Sequence, residues 1–223
     1  LYYTIYITMP TYTDSTGITW NYTLSGGNAT IRDGTLNAGS ATTDGTGLSG
    51  AITIPSTIPY GVGDASYNVT GIGNYAFQNC SSLTSIDFSG TQVTTIGRSA
   101  FQSCTSLTSI IIPNSLTTID YYVFQSCSSL ETIDLGNSLE TIDFRAFYNC
   151  SNLTSITIPD SVTAIGSQAF SNIASSFTVF VKDVDPNKTV VDIRALIDGV
   201  INGTATYLSL TSTPLAPSLS NVS

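Results

Sequence analysis

The sequence contains no histidine, only one methionine and one tryptophan, and charged residues make up just 9% of the chain. Without histidine, the commonest general base and the commonest metal-ligating side chain are both missing. The sequence also has neither a G-x-S-x-G nucleophile elbow nor a phosphate-binding P-loop. These absences predict a protein that is not an enzyme and that uses no cofactor.

Positive charge is scarce as well, with 6 basic residues against 15 acidic ones and a formal net charge of −9. A nucleic-acid-binding surface needs a basic stripe, so nucleic acid is excluded as a partner. No run of 18 apolar residues occurs, and membrane insertion is therefore not expected in this segment. Because the sequence starts at Leu1 without a signal peptide, we expect a processed product or a fragment of a longer protein.

An internal repeat is the strongest positive signal in the sequence. Five phenylalanines recur at intervals of 24, 23, 23 and 23 residues, and the first four of them are followed by a cysteine three residues later. They are Phe77, Phe101, Phe124, Phe147 and Phe170, with Cys80, Cys104, Cys127 and Cys150. A pattern of this kind predicts stacked coils that share one continuous core, because a single coil cannot bury its own apolar face.

Each coil contains two apolar segments that indicate strands. The first has the pattern L-x-x-I-x-[IFL], as in Leu83, Ile86 and Phe88, and the second has the pattern [VL]-x-x-I, as in Val93 and Ile96. Alternate side chains of such strands point into the core. The fold class predicted is mainly β, a leucine-rich-repeat solenoid with 23-residue β repeats.

The consensus A-F-x-x-C-S-S-L-T-S-I-x-I-P-x-S-V-T-x-I-G, carried by about half of the chain, resembles the BspA-type leucine-rich repeat, a family called after a bacterial surface antigen. Residues 50–73 resemble the degenerate first repeat that is common in that family. The resemblance implies a cell-surface protein that adheres to matrix proteins, other cells or mucosal surfaces. Similar repeats occur in protist surface proteins and in large DNA viruses. The low lysine content departs from bacterial members and leaves the source open.

The flanking segments predict a cap at each end of the solenoid. Residues 1–50 are expected to form an N-terminal β cap with a hairpin over 17–32, and residues 1–9 either a further strand or the end of a preceding domain. Residues 51–175 form the solenoid, 176–212 an α/β cap of strand, helix and strand, and 213–223 a tail or linker. The helix would begin at Asp185-Pro186 and end at Gly203.

Two groups of residues admit a metal-binding interpretation and a structural one. The four cysteines could form a metal or redox ladder on successive coils, but buried small hydrophobes at one repeated position explain them better. Asp183-x-Asp185-x-Asn187 alternates like a calcium loop, although Gly is absent at the sixth place and Glu at the twelfth. An N-terminal helix cap at Asp185 explains this motif with fewer assumptions than a calcium site does. No metal site is therefore predicted for either group.

Partner binding is predicted on two rows of residues between the fixed apolar positions. The strand row lies on the outward side of the first strands and comprises Asp87, Ile111, Asp134 and Thr157. The aromatic–arginine row precedes each Phe and comprises Tyr75, Arg98, Tyr121, Tyr122, Phe144 and Arg145. Tyrosine and arginine are typical interface anchors, whereas the alternative is that these aromatics pack over the turns beneath them.

Two functions fit this organisation. The first is a non-enzymatic binding or adhesion module on a cell or virion surface, which recognises a protein or glycan partner. The alternative is a structural subunit or spacer, in which copies of the chain join a filament, a coat or a virion. Nine N-x-[ST] sequons are compatible with an extracellular glycoprotein. They are at Asn21, Asn28, Asn68, Asn79, Asn149, Asn152, Asn187, Asn202 and Asn221.

Overall fold

A computed structural model of the chain describes residues 11–32, 36–37, 48–59 and 66–181. Within these ranges the protein has sixteen strands and no α-helix. Among the described residues there is accordingly no helix long and apolar enough to cross a membrane. The residues predicted to form the strand over 1–9, the C-terminal helix, the last strand of the C-terminal cap and the tail lie outside the described residues.

The N-terminal segment forms the predicted hairpin. Its two long strands, β2 (Ile18–Ser25) and β3 (Asn28–Ile31), pair antiparallel. Gly26 and Gly27 form the two-residue turn between them, with φ of 57° and 83°. Glycine suits both positions because a type I′ turn needs positive φ at each of its two central residues. Two short strands, β1 (Thr11–Thr13) and β4 (Leu36–Asn37), pair antiparallel with β2.

The degenerate first repeat also forms a coil. Its strands β5 (Ser49–Thr53) and β7 (Ser66–Ile72) pair in parallel with the strands of the next coil. β7 pairs on its other side with β3 of the hairpin, again in parallel. The strand β6 (Thr57–Pro59) lies antiparallel to β7 and has no counterpart in the later coils that the structure describes.

Four further coils each contribute the two predicted strands. The first strands are β8 (Ser82–Asp87), β10 (Ser109–Ile111), β12 (Thr132–Asp134) and β14 (Ser155–Ile158). The second strands are β9 (Thr95–Ile96), β11 (Thr118–Ile119), β13 (Thr141–Ile142) and β15 (Ala164–Ile165). The predicted C-terminal strand appears as β16 (Thr178–Val181) and pairs in parallel with β14.

These strands stack into parallel sheets on two sides of the solenoid. One side has the order β5-β8-β10-β12, followed by the separate pair β14-β16. The other side has the order β3-β7-β9-β11-β13-β15. The register shifts once in the β3–β7 pair and once in the β5–β8 pair. In the later coils it is regular, as in Ile110 opposite Ile133 and Ile119 opposite Ile142, so equivalent apolar side chains lie above one another in the core.

The third side of each coil is held by backbone hydrogen bonds that the repeat pattern does not reveal. Each of the first four repeated phenylalanines donates its N–H to the carbonyl of the residue that precedes the next one, as from Phe77 to Ala100 at 2.8 Å. Residues two before and two after each phenylalanine have positive φ, between 54° and 63°. They are Tyr75, Asn79, Ser99, Ser103, Tyr122, Ser126, Arg145, Asn149, Gln168 and Asn172.

The repeated phenylalanines form a continuous stack inside the solenoid. Successive rings from Phe77 to Phe170 lie 5.2–5.5 Å apart between centroids, with interplanar angles of 3–11°. Trp20 meets the first ring and Phe177 meets the last one. Because burial of one large side chain contributes about 1.5–3 kcal/mol, this stack is a main source of stability.

Candidate binding surfaces

The aromatic–arginine row lies where the backbone enters the third side of each coil. Tyr75, Tyr122 and Arg145 all have positive φ, and each donates its backbone N–H to the coil that follows. The Tyr122 amide, for example, donates to the carbonyl of Phe144 at 3.1 Å. The backbone ladder therefore fixes the spacing of the row from coil to coil.

Four members of the row form one contiguous cluster. The Arg98 guanidinium lies over the Tyr122 ring, 5.2 Å from its centroid. Tyr122 meets Phe144 edge to face at 5.4 Å, and the Arg145 guanidinium lies 4.9 Å from the centroid of Phe144. Each exposed cation–π contact contributes about 0.5–1 kcal/mol, so the cluster holds these side chains in defined positions.

The remaining two members of the row are exposed tyrosines. Tyr75 is 41% exposed and Tyr121 is 46% exposed. The backbone N–H of Tyr121 donates to the Asp120 carboxylate at 2.6 Å, which orders the chain at that position. The row therefore contains both exposed aromatics and packed ones, the two arrangements that the sequence left open. Tyr75 and Tyr121 project into solvent. Tyr122 and Phe144 are half-buried by neighbours.

Tyr148, which the sequence did not single out, and Gln168, which precedes the fifth repeated phenylalanine, also belong to the cluster. The Arg145 guanidinium lies 4.9 Å from the centroid of the Tyr148 ring, and its Nε donates to Gln168 Oε1 at 2.6 Å. The Tyr148 hydroxyl accepts from Asn172 Nδ2 at 2.8 Å. The sequence did carry a signal for such contacts, because a polar or aromatic residue directly follows each repeated phenylalanine. Stacking of the coils brings each of these residues alongside the turn of the coil before it.

The strand row lies on the outer face of the parallel sheet formed by the first strands. Ile111 stands opposite Asp134 in register and is 68% exposed, an unusual position for a large apolar side chain. Thr157 stands opposite Phe180, which is 43% exposed and continues the row beyond its predicted end. Sequence reasoning missed Phe180 because it assigned that strand to the C-terminal cap.

The two aspartates of the strand row have local hydrogen-bond partners. Asp87 accepts from the Ser89 N–H at 2.7 Å and from the Ser89 hydroxyl at 2.8 Å. Asp134 accepts from the Gly136 N–H at 3.0 Å. These carboxylates therefore stabilise the turns that follow their strands. The most exposed apolar side chain of the row is Ile111.

The cysteines are free, buried and hydrogen-bonded to backbone. The thiols of Cys104, Cys127 and Cys150 each donate to the carbonyl of the phenylalanine in the preceding coil at 3.1 Å. Burial raises the pKa of the Cys150 thiol to about 12, and burial followed by repulsion from Cys150 raises the pKa of Cys127 well above its usual value. The structural interpretation of the cysteines is confirmed.

No cluster of three metal-ligating side chains occurs among the residues described by the structure. The alternating motif at Asp183, Asp185 and Asn187 lies outside those residues.

A family model for the BspA type leucine rich repeat region matches residues 64–182, in six copies. The match covers more than half of the chain, and the protein belongs to this family. The resemblance inferred from the A-F-x-x-C consensus is therefore confirmed. No curated protein matches the sequence.

Crystal structures of leucine-rich repeat proteins share the fold. The protein from Bacteroides ovatus ATCC 8483 has a TM-score of 0.61 and 33% identity, over 74% of this chain and 39% of that one. The T. pallidum protein TpLRR has a TM-score of 0.59 and 30% identity, over 72% of this chain and 68% of that one. The pneumococcal vaccine antigen PcpA has the same fold at 24% identity and a TM-score of 0.56, over 78% of this chain and 50% of that one. The chain thus spans well under half the length of the Bacteroides protein.

Proposed function

We propose that the protein is a non-enzymatic binding module of an extracellular or cell-surface protein, and that it recognises a protein partner through the aromatic–arginine row. One observation carries the proposal: Arg98, Tyr122, Phe144 and Arg145 contact one another across three successive coils. Exposed tyrosines accompany this cluster, and Tyr121 adjoins it directly in the chain. Aromatic residues and arginine are enriched among the residues that dominate binding energy.

Pre-organisation supports this surface as a binding site. An interface loses about 0.5–1.5 kcal/mol for each flexible side chain that it must order on binding. The ring contacts of Tyr122 and Phe144 and the hydrogen bond from Arg145 to Gln168 order the cluster before a partner arrives. The free-energy cost of ordering these side chains on binding is therefore smaller.

An extracellular location agrees with the sequons. Five of their asparagines are exposed on the part of the chain that the structure describes: Asn28, Asn68, Asn79, Asn149 and Asn152. Exposure is a requirement for an attached glycan, because the modified side chain must extend into solvent. Membership of a family called after a surface antigen favours the same location.

The experiment measures binding of the purified protein to a panel of immobilised matrix proteins and to intact epithelial cells. Tyr121→Ala and Phe144→Ala should weaken binding at least tenfold, because both variants remove aromatic area from the row. Ile111→Ser, on the sheet formed by the first strands, is the matched control and should bind like the unmodified protein. All three variants should melt within a few degrees of it. Loss of binding only in Ile111→Ser would instead assign recognition to the strand row.

The alternative function is a spacer or assembly subunit. Its support is that β15 and β16 each pair on one side only among the described residues, so either strand could extend the stack. Light scattering over a range of protein concentrations distinguishes the two functions. A monomer with intact partner binding agrees with the module, whereas concentration-dependent filaments without partner binding would support the subunit.

A further inference from the structure

One large apolar side chain projects from the outer face of the sheet formed by the first strands. Ile111 is the last residue of β10 and is 68% exposed, whereas Ile110 and Ile112 on either side of it in the chain are buried. A single exposed isoleucine is ordinary on a protein surface. The groups that surround Ile111 are what make this face a candidate for binding.

The surface beside Ile111 contains a shallow cavity. It lies between the coils of β8 and β10 and has a volume of about 420 Å³, within the range of binding sites in proteins. Ile111 and Pro113 line it from one coil, and Asp87 and Phe88 line it from the other. A side chain that enters this cavity therefore meets apolar and charged groups together.

A carboxylate lies on each side of Ile111. Asp87, Ile111 and Asp134 are the last residues of β8, β10 and β12, which are consecutive strands of one sheet. Ile111 stands opposite Asp134, and the register of β10 with β8 places Asp87 on its other side. Because neighbouring strands are about 4.8 Å apart, the Cα atoms of the two aspartates are separated by about 9.6 Å.

The negative charge of this face has no basic counterpart on it among the described residues. Arg98 and Arg145 belong to the aromatic–arginine row, and Arg32 directly follows β3 in the other sheet. A carboxylate offers about four acceptor positions, and the bonds to the following turns use two at Asp87 and one at Asp134. Both exposed carboxylates can therefore accept further hydrogen bonds from a cation.

We propose that this face binds an extended basic segment of a partner protein, with lysine or arginine side chains three residues apart. Their aliphatic stems pack on Ile111, and their charged ends pair with Asp87 on one side and Asp134 on the other. A polyproline II segment rises about 3.1 Å per residue with three residues per turn, so residues three apart lie on one face about 9.3 Å from each other. This distance matches the separation of the two aspartates.

Charge favours a basic partner over a second copy of the chain. A two-fold contact between two such faces would bring the carboxylates of one copy against those of the other, and like charges across an interface oppose binding. The net charge of −9 adds to the repulsion between copies, whereas it attracts a basic segment.

This site goes beyond the proposed function, because it names a second ligand at a second place. It uses no residue of the aromatic–arginine row. The cluster of Arg98, Tyr122, Phe144 and Arg145 can recognise a protein whether or not a basic segment occupies the face around Ile111, and the two proposals are tested separately.

The test measures the fluorescence anisotropy of labelled peptides that are mixed with the purified protein. The first peptide has lysine at every third position and proline elsewhere, and the second has the same number of lysines at every second position. A third peptide carries glutamate in place of the lysines of the first. We expect the first peptide to bind at least about fivefold more tightly than the second, because only its lysines match the spacing of the aspartates, and the third not to bind.

Variants of the protein locate the contact. Asp134→Asn should weaken binding of the first peptide at least about fivefold, because it removes a charge-assisted hydrogen bond, and Ile111→Ser at least about threefold, because it removes apolar area. Asparagine still accepts the hydrogen bond from the Gly136 N–H, so the turn after β12 is kept. Glu140→Gln is the matched control, since it removes one exposed carboxylate just before β13 in the other sheet, and it should bind like the unmodified protein.

Absence of binding of the first peptide at millimolar concentration would overturn the proposal. So would equal binding of the first two peptides, or an equal loss of binding in Asp134→Asn and Glu140→Gln, because either result would mean a general attraction of cations to an acidic protein. Matrix-protein binding that is lost in Phe144→Ala and kept in Asp134→Asn would leave the proposed function standing in each of those cases.

Discussion

The indole of Trp20 meets the ring of Phe77 edge to face, with centroids 6.5 Å apart and planes at 77°. Trp20 has no exposed surface, and its Nε1 donates to Asp14 Oδ2 at 2.7 Å. The hairpin thus closes the N-terminal end of the phenylalanine stack with the one tryptophan of the chain. An open end would expose the first ring to water.

Truncation of this tryptophan should destabilise the whole stack. Trp20→Ala is expected to lower the free energy of unfolding by about 3–5 kcal/mol, because it leaves a cavity against Phe77 and removes a hydrogen-bond donor. Urea denaturation followed by circular dichroism measures the change. Tyr121→Ala, an exposed aromatic, should change it by less than about 0.5 kcal/mol. Equal midpoints for the two variants would contradict the capping role of Trp20.

Stability should fall in acid through Asp14. Burial raises the pKa of this carboxyl, but hydrogen bonds from Thr16, Trp20 and Ile18 outweigh burial and leave the pKa below its usual value of 3.8. A carboxyl with a depressed pKa stabilises the folded state above its unfolded pKa, and the contribution disappears as the pH falls through the folded value.

The measurement compares the thermal midpoints of the unmodified protein and Asp14→Asn as the pH is lowered from neutral. The difference between them should be constant above pH about 5 and shrink below the unfolded pKa near 3.8. A difference that does not vary over this range would show that ionisation of Asp14 contributes nothing.

Substitution at a left-handed backbone position should stabilise the solenoid. Ser103 has a φ of 61°, and the equivalent position holds asparagine at Asn79, Asn149 and Asn172. Asparagine tolerates this conformation better than serine, so Ser103→Asn should raise the free energy of unfolding by about 0.5 kcal/mol. Ser109→Asn in β10 is the control and should give no gain, because asparagine is disfavoured in strands. A loss of stability in Ser103→Asn would contradict the argument.

The buried thiols should resist alkylation in the folded protein. The thiolate is the reactive species, and burial raises the pKa of Cys127 well above its usual value. We expect iodoacetamide at pH about 8 to leave all four cysteines unmodified in buffer and to label all four in denaturant, as read by intact mass. Rapid labelling of Cys127 in buffer would instead mean that the coil opens locally.

The repeat made much of the fold predictable from sequence. The phenylalanine, leucine and isoleucine spacing predicted the two strands of each coil, and the glycines at 26 and 27 predicted the hairpin turn. The local pattern was sufficient to predict which strands pair. When similar coils stack, residues that are one repeat apart in sequence become neighbours across adjacent strands. The sequence did not predict β6, because this strand lies in the degenerate first coil and has no repeated pattern in the later coils that the structure describes.

The candidate surfaces were predictable in position but not in geometry. The sequence placed Arg98, Tyr122 and Phe144 on adjacent coils, yet their mutual contacts depend on side-chain directions that the repeat spacing does not specify. It equally could not show that Asp87 and Asp134 bond to their own turns. The close approach of the hairpin to Gly71 and Gly73 is a tertiary contact with no periodic signal.

The three hydrogen-bonded sides of each coil also determine how the solenoid responds to force. Each coil contacts only its neighbours, so tension along the stacking axis can separate the coils one junction at a time, as β16 from β14. The force at which the solenoid yields therefore depends on its weakest junction and not on the number of its coils.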